Sequence, residues 1–136
     1  SACPCRIGEV TAWLSVEVVV DLQAMLIDEF GGASGLRDRG GLEAAVARPR
    51  QIEAYEEDAS IFRLAAALAY GLTQNHAFVD GNKRIALTAA GVFLGLNGWY
   101  LDAVEQDAVR FTLELSSRQI DEHAFAAWLE TCSVRL

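Results

Sequence analysis

Two stretches of this sequence are apolar in almost every direction around a helix, and a short polar segment separates them. Residues 60–74 carry Ile61, Phe62, Leu64, Ala65, Ala66, Ala67, Leu68, Ala69, Tyr70 and Leu72. Residues 83–96 carry Ile85, Leu87, Val92, Phe93, Leu94 and Leu96. A helix apolar on all sides belongs inside a fold or a membrane. Neither run approaches the roughly 20 residues that a bilayer needs. The two therefore predict a buried central pair, and the remaining elements must wrap it.

Those elements also read as helices. Residues 15–30 begin with Ser15 as a cap and Glu17 as early negative charge, and Gly31-Gly32 stops them. Val18, Val19, Leu22, Met25, Leu26 and Phe30 fall on one face. Residues 42–47 predict a short helix closed by Pro49. Residues 51–57 fit a loop or one arm of a hairpin equally well. Residues 101–116 and 119–132 predict two more helices, with Asp102 and Asp121 near their positive ends. The expectation is one all-α domain over residues 1–136, long enough to bury a core without staples.

Charge and cysteines exclude several function classes. The net charge is −8, so general nucleic-acid or anionic-membrane binding is not expected. No secretory leader is visible. Cys3, Cys5 and Cys132 are too few and too badly spaced for a disulfide framework or, with His76 and His123 the lone histidines, for a zinc site. Reduced thiols and a cytoplasmic setting follow.

The segment between the buried helices is Asn75-His76-Ala77-Phe78-Val79-Asp80-Gly81-Asn82-Lys83-Arg84. Its plainest reading is a capped connection, with Asn82 or Asp80 as the cap. The order of charges argues for more. Lys83 and Arg84 fall at a helix start, where the macrodipole repels cations. An anion held between them and free backbone N–H groups resolves the conflict, and Gly81 lets it approach closely. Asp80 is a hard oxygen ligand suited to one Mg²⁺. His76 can accept a hydroxyl proton at neutral pH. Phe78 points inward and pins the loop. Base, metal ligand, anion hole and cations together describe phosphoryl or nucleotidyl transfer.

Residues 76–84 resemble the signature of the Fic family, His-x-Phe-x-Asp/Glu-Gly-Asn-Gly/Lys-Arg, and are most similar to its death-on-curing (Doc) branch, in which Lys stands where AMP-transferring members have Gly. Phe30-Gly31-Gly32, Gly35-Leu36-Arg37-Asp38, Gly41-Leu42-Glu43 and Ala47-Arg48-Pro49 extend the likeness through the N-terminal half, Ala54-Tyr55 resembles the start of the flap, and Asn97-Gly98 resembles the helix stop. The resemblance implies a Fic-type bundle of about six helices with a short β-hairpin flap near residues 48–57. It implies a type II toxin that moves the γ-phosphoryl group of ATP to a hydroxyl of a translation protein, the elongation factor Tu class, and arrests translation. His76 is then the general base and Asp80 holds Mg²⁺. Gly81, Asn82, Lys83 and Arg84 bind the phosphates, with Lys83 and Arg84 also supplying catalytic charge. AMP transfer on the same fold is the alternative, and a non-enzymatic module keeping the fold is a third reading.

Some positions depart from the family pattern. AMP-transferring members carry a second Arg three residues after the first, where this chain has Leu87. Many Doc-like chains have His in the first helix where Gln23 stands. No Ser or Thr has Glu four positions later, so the inhibitory motif of self-restrained members is missing. Restraint is then expected from a Phd-like antitoxin acting in trans. Four arginines outweigh Asp38 and Glu43 in residues 37–50, a local charge of +2 that could meet nucleotide or an acidic partner. Glu53, Glu56, Glu57 and Asp58 read as a solvated face, Tyr55 as a stacking residue or filler under the flap, and His123 as a surface side chain.

Overall fold

A computed structural model describes residues 10–136. Cys3 and Cys5 lie outside the described residues. Six helices and two short strands follow in order: α1 Val16–Phe30, α2 Arg39–Tyr55, α3 Ile61–Asn75, α4 Asn82–Leu96, β1 Trp99–Leu101, α5 Glu105–Ser116, α6 Glu122–Cys132 and β2 Ser133–Arg135. The fold is mainly α-helical, as the sequence predicts.

α3 and α4 are the centre. Leu64, Ala65, Ala66, Ala67, Ala69, Ile85, Ala86, Ala89, Ala90 and Leu94 are wholly buried. The many alanines let neighbouring helices come close. At Gly71 of α3 the approach is closest, because a Cβ there would lie 3.0 Å from Cα and Cβ of Ala45 in α2. Side-chain oxygens cap the starts of α1, α3 and α6: Ser15 accepts from Val18 N, Ser60 from Arg63 N and Asp121 from Ala124 N. α4 ends at Asn97, whose amide donates to the carbonyls of Phe93 (2.8 Å) and Ala12 (2.9 Å).

Three expectations need correction. Pro49 does not end a helix: α2 runs through it to Tyr55. Leu42, Ala45 and Pro49 are buried together on one face, and Ile52 packs beside them. Burying that stripe outweighs the one backbone bond that proline forfeits. The segment expected to hold a hairpin flap is therefore helical. The small antiparallel sheet lies elsewhere, pairing Trp99 with Arg135 and Leu101 with Ser133 across the intervening α5 and α6. β1 also delays the next helix to Glu105, so Asp102 lies outside it and its N–H donates to the Cys132 carbonyl at 2.9 Å. α1 lies at the edge of the bundle: of its apolar stripe only Val19 is fully buried, while Met25 is 65% and Phe30 55% exposed.

The arginines and glutamates sort into structural pairs. Glu122 of α6 binds Arg48 of α2 at 2.5 Å and Arg63 of α3 at 3.0 Å. Arg63 also makes two hydrogen bonds to Glu56, at 2.9 and 3.3 Å, so Glu56 is not part of a freely solvated face. Burial works against the Arg63 charge, but hydrogen bonds and charge from Glu56 and Glu122 hold its pKa above the ordinary value. Arg39 pairs with Glu17 and Glu43, and Arg50 lies over the Trp13 ring at 5.3 Å. The basic cluster of residues 37–50 is thus divided among separate partners. Tyr55 is 87% exposed and fills no underside. Burial, then Asp107 and Asp102, push the Cys132 thiol up, which keeps it protonated and a poor nucleophile.

Candidate active site

The connection between α3 and α4 carries His76, Asp80, Gly81, Asn82, Lys83 and Arg84 at the bundle surface. His76 closes α3 in the left-handed region, φ 46° and ψ 49°. Few residues other than glycine adopt this conformation, and it turns the chain sharply out of the helix. The following Ala77 and Phe78 dive back and are buried, so Phe78 does pin the loop. His76, Asp80, Lys83 and Arg84 are left exposed on the outer side.

A second segment holds this loop in place. Residues 33–38 run antiparallel to it, with a β-bridge between Leu36 and Phe78. Arg37 N and Asp38 N donate to the Ala77 carbonyl at 2.7 and 2.9 Å, and Val79 N donates to the Gly35 carbonyl at 3.0 Å. Arg37 Nη2 donates to the His76 carbonyl at 2.7 Å, which braces the left-handed residue directly. The strap rests on α2, because Asp38 caps that helix through Gly41 N at 2.9 Å. Asn75 Nδ2 donates to the Gly41 carbonyl at 2.9 Å and ties the end of α3 to the same point.

The Asp80 carboxylate is oriented from two sides: Oδ1 accepts from Gly81 N at 2.8 Å, and Oδ2 accepts from Ala33 N at 3.3 Å. A side chain at Gly32 would push the carboxylate out of place, since a Cβ would lie 2.8 Å from Asp80 Oδ2. The Gly-Gly pair after α1 thus does more than end a helix. Arg37, expected as part of the basic cluster of residues 37–50 to meet nucleotide or a partner, donates to the loop itself, whereas Gly32 and Ala33 carry no chemistry-bearing side chain. Their signal was positional, in the Gly-rich run that precedes α2.

α4 starts without a cap. Its N-cap is Gly81, φ 75° and ψ 22°, with no side-chain hydrogen bond to the first turn and no acid in that turn. Asn82 does not supply the cap either: its side chain turns back, accepting from Phe78 N at 3.1 Å and donating to the Phe78 carbonyl at 2.9 Å. Asn82 can reach an anion only through its backbone N–H. Lys83 and Arg84 occupy the next two positions, with Arg84 stacked over the Phe30 ring at 4.4 Å. Free N–H groups, the positive helix end and two cations therefore coincide, which is the donor set of an anion site. One oriented carboxylate beside it suits a Mg²⁺ that takes its other oxygens from water and phosphate. Beside Lys83 and Arg84 a groove of about 350 Å³ opens between α1, α4 and α5, lined by Leu26, Phe30, Leu87, Val109 and Leu113 among others.

The Fic/DOC family model matches residues 13–94, which span α1 to α4 and the whole loop. The chain belongs to the Fic/Doc family. It is similar to "Toxin Doc" of Mycolicibacterium smegmatis (strain ATCC 700084 / mc(2)155), 46% identical over 105 residues that cover 74% of this chain and 79% of that protein. It is also similar to "Protein kinase doc" of Escherichia phage P1, 36% identical over 85 residues, 62% of this chain and 68% of the relative. These relatives place it in the Doc branch. Within that family, His76, Asp80 and residues 81–84 occupy the signature loop described above. Leu87, where AMP-transferring members have a second Arg, faces the apolar groove and offers no charge.

Proposed function

We propose that this chain is a Doc-type toxin that transfers the γ-phosphoryl group of ATP to a protein hydroxyl. The observation that carries the reading is the start of α4: uncapped, free of acids and bearing Lys83 and Arg84 beside an oriented Asp80. His76, exposed on the same loop, takes the proton of the target hydroxyl. The hydroxyl oxygen then bonds to the γ-phosphorus as the bond to the β-phosphate oxygen breaks, and ADP leaves. Residues 81–84 bind the phosphates, with Lys83 and Arg84 stabilising the charge that develops in transfer. Asp80 would hold Mg²⁺, which supplies charge neutralisation on the phosphates.

The substrate we propose is elongation factor Tu, with translation arrest as the outcome in a cytoplasmic setting. Restraint comes from a Phd-like antitoxin in trans. A segment laid in the groove beside Phe30 and Leu113 would cover Lys83 and Arg84 and so close the phosphate site.

The decisive assay incubates the protein and elongation factor Tu with ATP labelled at either the α or the γ phosphate. Label passing from the γ position, and lost in His76→Ala, supports the reading. Transfer of the α label instead indicates AMP transfer. Toxicity undiminished in His76→Ala indicates a binding module without catalysis.

A further inference from the structure

Gln23 lies in the middle of α1 and is 3% exposed. Its neighbours along the helix are mostly exposed or half-buried, so the amide is set deeper than almost anything around it. Nε2 donates to the Asp80 carbonyl at 2.5 Å. The amide lies against the turn at Gly81, where a Cβ would be 3.1 Å from Nε2 and 3.7 Å from Oε1. Oε1 is buried and has no partner.

This is a poor choice for packing alone. Burying an amide with an unmet acceptor costs free energy that an apolar side chain of the same length would avoid. The one bond Gln23 makes falls on the peptide that links the candidate metal ligand to the left-handed cap of α4. Fixing the Asp80 carbonyl fixes both sides of that peptide: the direction of the Asp80 carboxylate, and the φ and ψ of Gly81 that aim the N–H groups of residues 82–84 outward. Asp80 also receives bonds from Ala33 N and Gly81 N, but both go to its carboxylate. Gln23 supplies the hold on its backbone.

We propose that Gln23 is a positioning residue for phosphate and metal binding, holding the Asp80–Gly81 peptide from beneath; the role in transfer rests on the phosphotransfer reading above. Gln23 touches neither nucleotide nor target. Its loss should therefore disturb the loop without a matching loss of fold stability, because replacing it also removes the unpartnered acceptor.

The test compares wild type with Gln23→Met, which is close in shape and lacks the donor, and Gln23→His, whose imidazole N–H can reach the same carbonyl. Gln23→Leu is made as a second apolar variant. Three quantities are read on the full chain: melting temperature, backbone amide shifts of residues 80–84 without ligand, and affinity for Mg²⁺–ATP by calorimetry. Gln23→Met should melt at or above the wild-type temperature, shift the amides of residues 80–84, and bind Mg²⁺–ATP about tenfold more weakly, the worth of one hydrogen bond. Gln23→His should recover most of the affinity. Unchanged amides and affinity in Gln23→Met overturn the proposal. So does failure of both apolar variants to fold, since the role would then be structural. If the wild type itself does not bind Mg²⁺–ATP, the phosphotransfer reading fails, while the amide shifts still decide whether Gln23 sets the turn.

Discussion

Replacing Lys83 by Glu should make the free protein more stable while abolishing phosphotransfer. α4 begins at Asn82 behind a glycine that offers no side-chain cap, and its first turn contains no acid. Lys83 and Arg84 thus face the positive end of the macrodipole without relief. A charge in the first turn is worth roughly 0.3–1 kcal/mol, favourable for an anion and unfavourable for a cation. Reversing the sign at residue 83 counts the effect twice, but the position is exposed, so the low end applies and the gain is about 0.6 kcal/mol or slightly more. Repulsion from Asp80 takes back about 0.2 kcal/mol. The net gain of about half a kcal/mol corresponds to a melting temperature roughly 2 °C higher for a chain of this size. Lys83→Gly should cost about 0.4 kcal/mol, because relief of the cation, about 0.3 kcal/mol, only partly offsets about 0.7 kcal/mol of lost helix propensity.

The assay is a pair of thermal melts at low ionic strength and at about 0.5 M salt, where screening over about 5 Å should erase the gain. Saturating Mg²⁺–ATP then inverts the order. A ligand at a hundredfold excess over its Kd adds about 2.7 kcal/mol to the protein that binds it, and Lys83→Glu should not bind. The reasoning is refuted if Lys83→Glu is less stable than wild type at low salt, or if it still transfers phosphate. The first outcome would mean that the cation supports the fold, and the second that the anion does not depend on it.

Two further substitutions probe the surroundings. Glu122→Gln should destabilise the fold by about 2–3 kcal/mol in urea, because Arg63 is only 11% exposed and the amide keeps one acceptor oxygen for two arginines while losing the charge that pairs both, whereas Glu56→Gln, at a carboxylate 39% exposed, should cost about 1 kcal/mol; equal losses would show that burial does not set the value of these pairs. Gly31→Ala and Gly32→Ala should each cost about 1 kcal/mol for a side chain at positive φ, but only the second puts a methyl against Asp80, so only Gly32→Ala should weaken Mg²⁺–ATP binding by tenfold or more in calorimetry.

The buried pair α3 and α4, the caps at Ser15 and Ser60 and the loop from His76 to Arg84 were legible because each is a local pattern: an all-round apolar run, a hydroxyl three residues before a free N–H, a signature of fixed spacing. Pro49 misled because it was read as a backbone breaker alone. Read as an apolar residue, it completes the stripe Leu42, Ala45, Pro49 and Ile52 at helical spacing, and that stripe is what α2 buries. The arginines misled for the opposite reason. Their partners Glu122 and His76 stand 74 and 39 positions away, so nothing near Arg48 or Arg37 in the chain announces them. Residues 35–38 of the strap were legible as part of the family likeness, but its hold on the loop was not, because most of its bonds come from backbone donors, which carry no residue type.

What joins these observations is where the local rules are broken. His76 takes a left-handed conformation without being glycine, Gly81 leaves a helix uncapped, Lys83 and Arg84 oppose a dipole, and Gln23 keeps a buried acceptor without a partner. Left-handed Asp58 and Arg118, by contrast, occur singly in connections between helices. Conflicts of this kind tend to persist where function requires them, because each can be removed by one substitution that improves the isolated fold. Lys83→Glu, Gln23→Met or His76→Gly would each relieve one. That they are gathered on a single loop, and on the one helix face beneath it, is the physical reason for assigning that loop to an anionic substrate and not to packing.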